Sequence, residues 1–387
     1  MTAPDPFAPA RLGPVTLRNR IVKAATFEGM TPEHVVSERL IEFHRRVAAG
    51  GVGMTTIAYC AVSPDGCGAP NEMILTEDAI PGLRKLADAV HAEGAAVSAQ
   101  IGHAGAVAAG TGRKGLSPSP IFSPLAMRRT RAVTEAEIAR ITADFARAAR
   151  VAAEAGLDAV ELHFGHGYLV SEFLSPKLNR RKDAYGGSLE NRARFAREVA
   201  RAVREAVGRR IAVLAKLNMD DGVPGGLWLD ESVEVGRLLE ADGALDALEL
   251  TGGSSLQNPM YLFRGEAPIE EMAKSFPGPL RVGFKLLGGR FLKSYPYEEA
   301  YFLPYARQFR AALRMPLVLL GGVNKRATIE QAMGEGFEFV AMGRALLREP
   351  DLVRRLESGA ARDSLCVHCN KCMATIYRGT HCVLAPG

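Results

Sequence analysis

Three side chains within six positions, His163, His166 and Tyr168, sit in the stretch HFGHGYLVSEFLSPKLNRRKDAYGGSLENR, from His163 to Arg192. A lone histidine is usually a packed or solvated imidazole. Two histidines and a tyrosine this close at the end of an apolar run point to a site. Zinc could use two such histidines, but no third ligand lies at a suitable spacing. Two neutral imidazoles can instead donate hydrogen bonds to a substrate oxygen, and a nearby tyrosine can deliver a proton. The second group is a row of thiols: Cys366, Cys369, Cys372 and Cys382 follow the pattern C-x2-C-x2-C-x9-C. Zinc sites usually show two separated pairs, whereas three close thiolates and a distant fourth suit an iron–sulfur cluster. A metal-free thiol loop is the alternative, with His368 and His381 as bystanders or substitute ligands. Cys60 and Cys67 read as ordinary buried or loop thiols.

The elements that must position these groups alternate regularly. Strands are expected at 20–26, 52–58, 95–101, 158–164, 211–217, 246–251, 316–322 and 337–343. Helices start between them near Val36, Asp78, Thr134, Glu190, Asp230, Pro296, Lys325 and Arg344. Ser37 precedes an acidic first turn, Thr134 opens a capping box with Glu137, and Asp230 opens DESVEV. Strict alternation implies parallel pairing, and eight units are what a closed (β/α)8 TIM barrel requires. An open doubly wound sheet lacks its glycine-rich fingerprint after the first strand. Excursions at about 102–133 and 252–296 would form long loops after strands three and six, with the histidine stretch forming another after strand four. No internal repeat beyond the barrel unit is visible. One barrel, 1–360, with a Cys-rich tail, 361–387, is the economical division.

A barrel collects its active-site residues at the carboxyl ends of its strands. Those ends read Ala24–Ala25–Thr26, Ala58, Gln100, His163, Lys216, Thr251, Gly321–Gly322 and Met342–Gly343–Arg344. Glycines ending strands seven and eight suit a phosphate held by backbone N–H groups, and Arg344 could add a bidentate contact.

The pattern HxxHGYL, followed by EFLSP and YGGSLENR, closely resembles the signature of the Old Yellow Enzyme family of FMN-dependent NAD(P)H:flavin oxidoreductases and ene-reductases. The resemblance runs from about Pro6 to Leu356 and includes FAPARLGPVTLRNRIVKAAT. It implies an FMN-containing TIM barrel in which Ala24, Ala25, Thr26 and Ala58 line one side of the flavin ring and Gln100 faces its pyrimidine edge. Gly321, Gly322, Gly343 and Arg344 would take the phosphate. His163 and His166 would hold the electron-withdrawing oxygen of an enone or dienoyl substrate, with Tyr168 protonating the adjacent carbon. NAD(P)H would be the reductant. Lys216 stands where most members carry an arginine beside flavin N1 and O2, and a point donor cannot match that planar fork. The tail is similar to one that binds [4Fe–4S] in the trimethylamine dehydrogenase and 2,4-dienoyl-CoA reductase branch, though its final spacing is shorter.

The remaining composition sets limits. Across 387 residues, 48 basic and 43 acidic side chains give a net charge of +5 and are scattered, whereas nucleic-acid binding wants a clustered basic stripe. The long uncharged stretch from Ala95 to Gly112 holds four glycines, a glutamine and a histidine and cannot span a bilayer. The start MTAPDPFAPA lacks the basic and apolar regions of a signal peptide, so the expected compartment is the reducing cytoplasm. A homo-oligomer is compatible with the sequence. Two other readings stand beside the ene-reductase. One is an amine dehydrogenase like trimethylamine dehydrogenase, which needs an aromatic cage although Trp228 is the single tryptophan. The other is a non-catalytic flavin or metal electron-transfer protein.

Overall fold

The computed structural model describes residues 3–108, 114–274 and 278–385. Residues 109–113 and 275–277, which belong to the two expected excursions, lie outside the described residues. Eight parallel strands form the centre: β1 (Ile21–Lys23), β2 (Met54–Ala61), β3 (Ala96–Gly102), β4 (Ala159–Phe164), β5 (Ala212–Asn218), β6 (Ala247–Thr251), β7 (Leu317–Leu319) and β8 (Phe339–Met342). Each pairs with the next, and β8 returns to β1 through Val340↔Ile21 and Met342↔Lys23, which closes the ring. The fold is a (β/α)8 TIM barrel with long loops after β3, β4 and β6.

The principal outer helices are α1 (Glu38–Ala49), α2 (Ile80–Ala92), α3 (Glu135–Glu154), α4 (Leu189–Val207), α5 (Leu229–Asp242), α6 (Leu303–Ala312), α7 (Arg326–Gly334) and α8 (Leu352–Glu357). Ser37 caps α1 through Leu40 N, and Thr134 with Glu137 forms the full capping box of α3. Two starts differ from expectation. Trp228 rather than Asp230 occupies the N-cap of α5. Helix α6 begins at Leu303, seven residues past Pro296, because Tyr301 and Phe302 turn inward and lie against Gly322 and Gly321.

Strand side chains alternate between two cores. Val160, Leu162 and Phe164 of β4, like Val213, Ala215 and Leu217 of β5, face the helices. The inward positions form layers. An apolar floor of Ala159, Ala212, Leu214, Ala247, Val318 and Phe339 rests on the hairpin formed by Ala10–Leu12 and Val15–Leu17. Above this floor the inward residues turn polar: Gln100, Glu161, Lys216 and Glu249 are all buried, and His163, Asn218 and Thr251 stand one step higher. Two strands of the polar layer carry a short repeat, DAVEL at 158–162 and DALEL at 246–250. Its aspartates do matching work, as Asp158 accepts from Val97 N and Asp246 from Val213 N, each at 2.8 Å.

Candidate active site

The turn after β4 decides where the reactive side chains go. His166 has φ 60° and Gly167 φ 72°, a left-handed pair that doubles the chain back. Asn218 Oδ1 holds the turn through His166 N at 3.0 Å, and Asn218 Nδ2 donates to Asp221 and to Gly253 O, both at 2.8 Å. As a result three rings share one small space. The centroid of His163 is 4.9 Å from His166 and 4.4 Å from Tyr168, and Tyr59 lies 5.1 Å from Tyr168. Thr251 Oγ1 fixes His166 Nε2 at 2.8 Å. His163 Nδ1 is buried without a hydrogen-bonding partner among the described residues. Such a group costs free energy unless a ligand satisfies it.

Both imidazoles are neutral. Burial lowers His163 well below the usual histidine value, and His166 and Lys216 push it further in the same direction. His166 keeps some exposure at the mouth, yet burial and Lys216 bring it down to about 3. A neutral imidazole has one N–H, so each ring can donate one hydrogen bond to an acceptor atom. Burial raises the Tyr168 hydroxyl, with Glu72 and Tyr377 adding to the effect, so it stays protonated as a proton donor must.

Beneath the rings, Lys216 is opposite His163 in the strand register. Its ammonium lies 2.8 Å from Glu161 Oε1 and 2.9 Å from Glu249 Oε1. Burial alone would lower Lys216, but the two carboxylates more than offset it and keep the side chain charged. Gln100 donates to Glu161 Oε1 at 2.6 Å. Ala24 and Ala58 are buried, while Ala25 and Thr26 are partly open. The strap after β1 is pinned by Glu28, which accepts from Ala58 N at 2.7 Å and pairs with Lys23 at 2.7 Å. Small side chains, an amide and a cation thus lie along one side of the mouth, which fits a flat heteroaromatic ring with a polar edge.

The expected phosphate corner is more mixed. A Cβ on Gly321 would meet the Phe302 ring at 2.4 Å, and one on Gly322 would meet Tyr301 at 2.6 Å, so packing already demands both glycines. Gly343 has open space, with Thr26 Cγ2 the nearest atom at 3.6 Å. Arg344 Nη1 donates to Phe263 O at 2.7 Å, to Arg264 O at 2.9 Å and to Asn370 Oδ1, tying the loop after β6 to the tail.

The four tail cysteines line one cavity of about 20 Å³ together with Arg344, His368 and Asn370. No group of three His, Cys, Asp or Glu side chains among the described residues is gathered to hold a metal ion. The thiols therefore surround a space without forming a coordination sphere. Burial raises Cys372 to about 11. His368 stacks on Tyr297 at 3.4 Å and bonds Asn324. Cys60 and Cys67 are buried free thiols, as expected, and Trp228 is half exposed. Sequence reading missed Glu161, Glu249 and Asn218, and placed Thr251 at a strand end without a role. The carboxylates were visible as charges inside otherwise apolar strands, and the DAxEL repeat marks both.

Barrel, neutral imidazole pair, tyrosine and buried cation together suit oxidoreductase chemistry. Comparison with known proteins agrees: residues 5–244 match the NADH:flavin oxidoreductase / NADH oxidase family, and the chain belongs to it. It is 58% identical over 387 residues to a 4,4'-dithiodibutanoate disulfide reductase of Rhodococcus erythropolis, covering 99% of this chain and 96% of that one. It is 34% identical to a metal reductase of Desulforamulus reducens, covering 96% of this chain and 52% of that protein. The solved structure of a 2-naphthoyl-CoA reductase superposes with a TM-score of 0.78 at 28% identity, over 92% of this chain and 52% of that one. The chain thus spans nearly all of the first relative and about half of the other two. Among the described residues no helix is long and apolar enough to cross a membrane.

Proposed function

We propose that this chain is an NAD(P)H-dependent FMN reductase that adds hydride and a proton to a small organic acceptor, in the first instance the activated C=C bond of an α,β-unsaturated carbonyl compound. The observation that carries the reading is the cluster of His163, His166 and Tyr168 directly above buried Lys216. Ala24, Ala25, Thr26 and Ala58 would flank FMN, Gln100 and Lys216 would meet its polar edge, and Gly321, Gly322, Gly343 and Arg344 would lie near its phosphate. Bound FMN would supply hydride chemistry, recharged by NAD(P)H. His163 and His166 hold the acceptor's oxygen and offset the charge that develops there, each donor lowering the barrier by about 3 kcal/mol. Tyr168 delivers its proton to the neighbouring carbon.

The relative at 58% identity favours a second acceptor, an organic disulfide such as dithiodibutanoate. There the same pair of histidines steadies the departing sulfur, and Tyr168 protonates the thiolate that leaves. For the tail, a [4Fe–4S] cluster ahead of zinc on Cys366, Cys369, Cys372 and Cys382 rests on the C-x2-C-x2-C-x9-C spacing alone, since the thiols gather no coordination sphere among the described residues. In this reading residues 1–360 form the FMN barrel, 361–387 the thiol segment packed on it, and the working compartment is the reducing cytoplasm. The test is anaerobic. NADH or NADPH should bleach the bound flavin, and cyclohexenone or dithiodibutanoate should restore it. The faster of the two identifies the acceptor class, and failure of both removes the reductase reading.

A further inference from the structure

The charges inside the barrel do not balance. One ammonium, Lys216, faces two carboxylates, Glu161 and Glu249, and none of the three is more than 2% exposed. Full ionisation would leave a net negative charge in an interior with no water to solvate it. The layer below is alanine, leucine, valine and phenylalanine and offers no compensating cation. The other charged groups nearby are already committed. Lys23 and Glu28 neutralise each other at 2.7 Å, His163 and His166 are neutral, and Val318, opposite Glu249 on β7, does not titrate. The two carboxylates also differ. Glu161 Oε1 accepts from both Gln100 Nε2 and Lys216 Nζ. Glu249 Oε1, although 2.9 Å from the ammonium, has no well-directed hydrogen bond among the described residues. Any proton the trio must carry belongs on Glu249.

We propose that Glu249 is the proton-coupling residue of the flavin site: with Glu161 it positions the Lys216 ammonium, and it takes up a proton from solvent when negative charge appears on the cofactor edge that Lys216 faces. This inference rests on the reading that Lys216 meets bound FMN. The balance is simple. NAD(P)H delivers two electrons and one proton as hydride, which leaves one negative charge beside Lys216. A second proton, from water, neutralises the Glu249 carboxylate. When hydride passes to the acceptor the charge departs, and Glu249 returns its proton. Lys216 thus remains a full cation in both states. Burial, reinforced by Glu161 and opposed by Lys216, raises Glu249 to about 8, so the exchange falls within a working pH range. Above that value Glu249 is ionised before reduction and picks up a proton during it. Below it the proton is already present.

The experiment is a spectroelectrochemical titration of the FMN-loaded protein between about pH 6 and pH 9. The expected result is a midpoint potential that falls with one proton per two electrons at low pH and with two above about pH 8, a doubling of slope. Glu249→Gln should give the single-proton slope throughout, and Glu249→Asp should restore a break. A straight line for the wild type, or a break that survives in Glu249→Gln, overturns the proposal while leaving the flavin site intact. If Glu249→Gln fails to fold, the wild-type and Glu249→Asp profiles decide alone. A chain that binds no FMN when it is supplied in excess overturns the site reading and the proposal with it.

Discussion

The barrel interior and the cysteine tail hold their reactive groups by opposite means. In the interior, strand register does the placing: Gln100 lies across from Glu161, His163 across from Lys216, and Lys216 across from Glu249. Each of these side chains rides on a strand bonded on both edges. Among its described residues the tail has no strand of its own, only a short run of tight turns at Lys371–Arg378. Its position depends on scattered hydrogen bonds from side chains and backbone alike. Asn370 donates to Phe263 O and Glu266 O at 2.9 Å, and Thr380 N donates to Glu28 O at 2.8 Å. Leu365, Val367 and Tyr377 are left exposed. A buried charge misplaced by an ångström loses its partner and regains no solvent. A thiol behaves as a small apolar group and needs only enclosure. Charges therefore demand a rigid carrier and thiols do not.

Substitutions test that contrast. Tyr168→Phe should slow hydride and proton delivery to the acceptor by about 10²- to 10⁴-fold, while reduction of the flavin by NAD(P)H stays near wild type. Stopped-flow traces of the two half-reactions check this, and equal slowing would move the proton donor elsewhere. Lys216→Ala strands Glu161 and Glu249 and should cost about 3–5 kcal/mol in denaturant unfolding. A cost near zero would mean that register does not matter to this trio. Asn370→Ala removes three ties between tail and barrel and should cost about 1–3 kcal/mol. Its signature is faster amide exchange confined to the tail and the loop after β6.

Acidification probes the barrel side of the comparison without mutation. Buried His44, His163 and His166 all have folded pKa values below the unfolded value near 6.5. Above about pH 6.5 neither state binds these protons, so stability is unaffected there. Below it the unfolded chain takes up protons that the fold refuses, and stability should fall by about 1.4 kcal/mol per pH unit for each histidine. Unfolding midpoints measured at stepped pH check the slope. The smallest effect belongs to Cys369→Ser, a partly exposed thiol, which should change the stability of metal-free protein by no more than about 0.5 kcal/mol. The same variant should abolish bound iron and sulfide if the cluster forms, and an unchanged iron content would exclude Cys369 as a ligand.

Much of this was legible in the sequence because the barrel repeats itself. Strand and helix alternate with few interruptions, and every expected strand overlaps an observed one. The histidine–tyrosine cluster was readable because its members are close along the chain. Glu161 and Glu249 were readable in principle, since a carboxylate inside DAVEL or DALEL can be tolerated only against a cation. Helix α6 starts later than local propensity suggests because Tyr301 and Phe302 answer to Gly322 and Gly321, just past the end of β7, a contact that the local sequence does not show. Arg344 was half understood for the same reason: its partners Phe263, Arg264 and Asn370 come from segments far away in sequence.

Thr380 fastens the end of the chain to its beginning, through its amide to Glu28 O and its hydroxyl to Phe27 O, across more than 350 positions. Glu28 acquires its own place only once β1 has found β2, and β1 closes the ring against β8. Contacts so distant along the chain form after the local ones that make them affordable. Cys382, two positions past Thr380, therefore joins the three clustered thiols only as those distant contacts close.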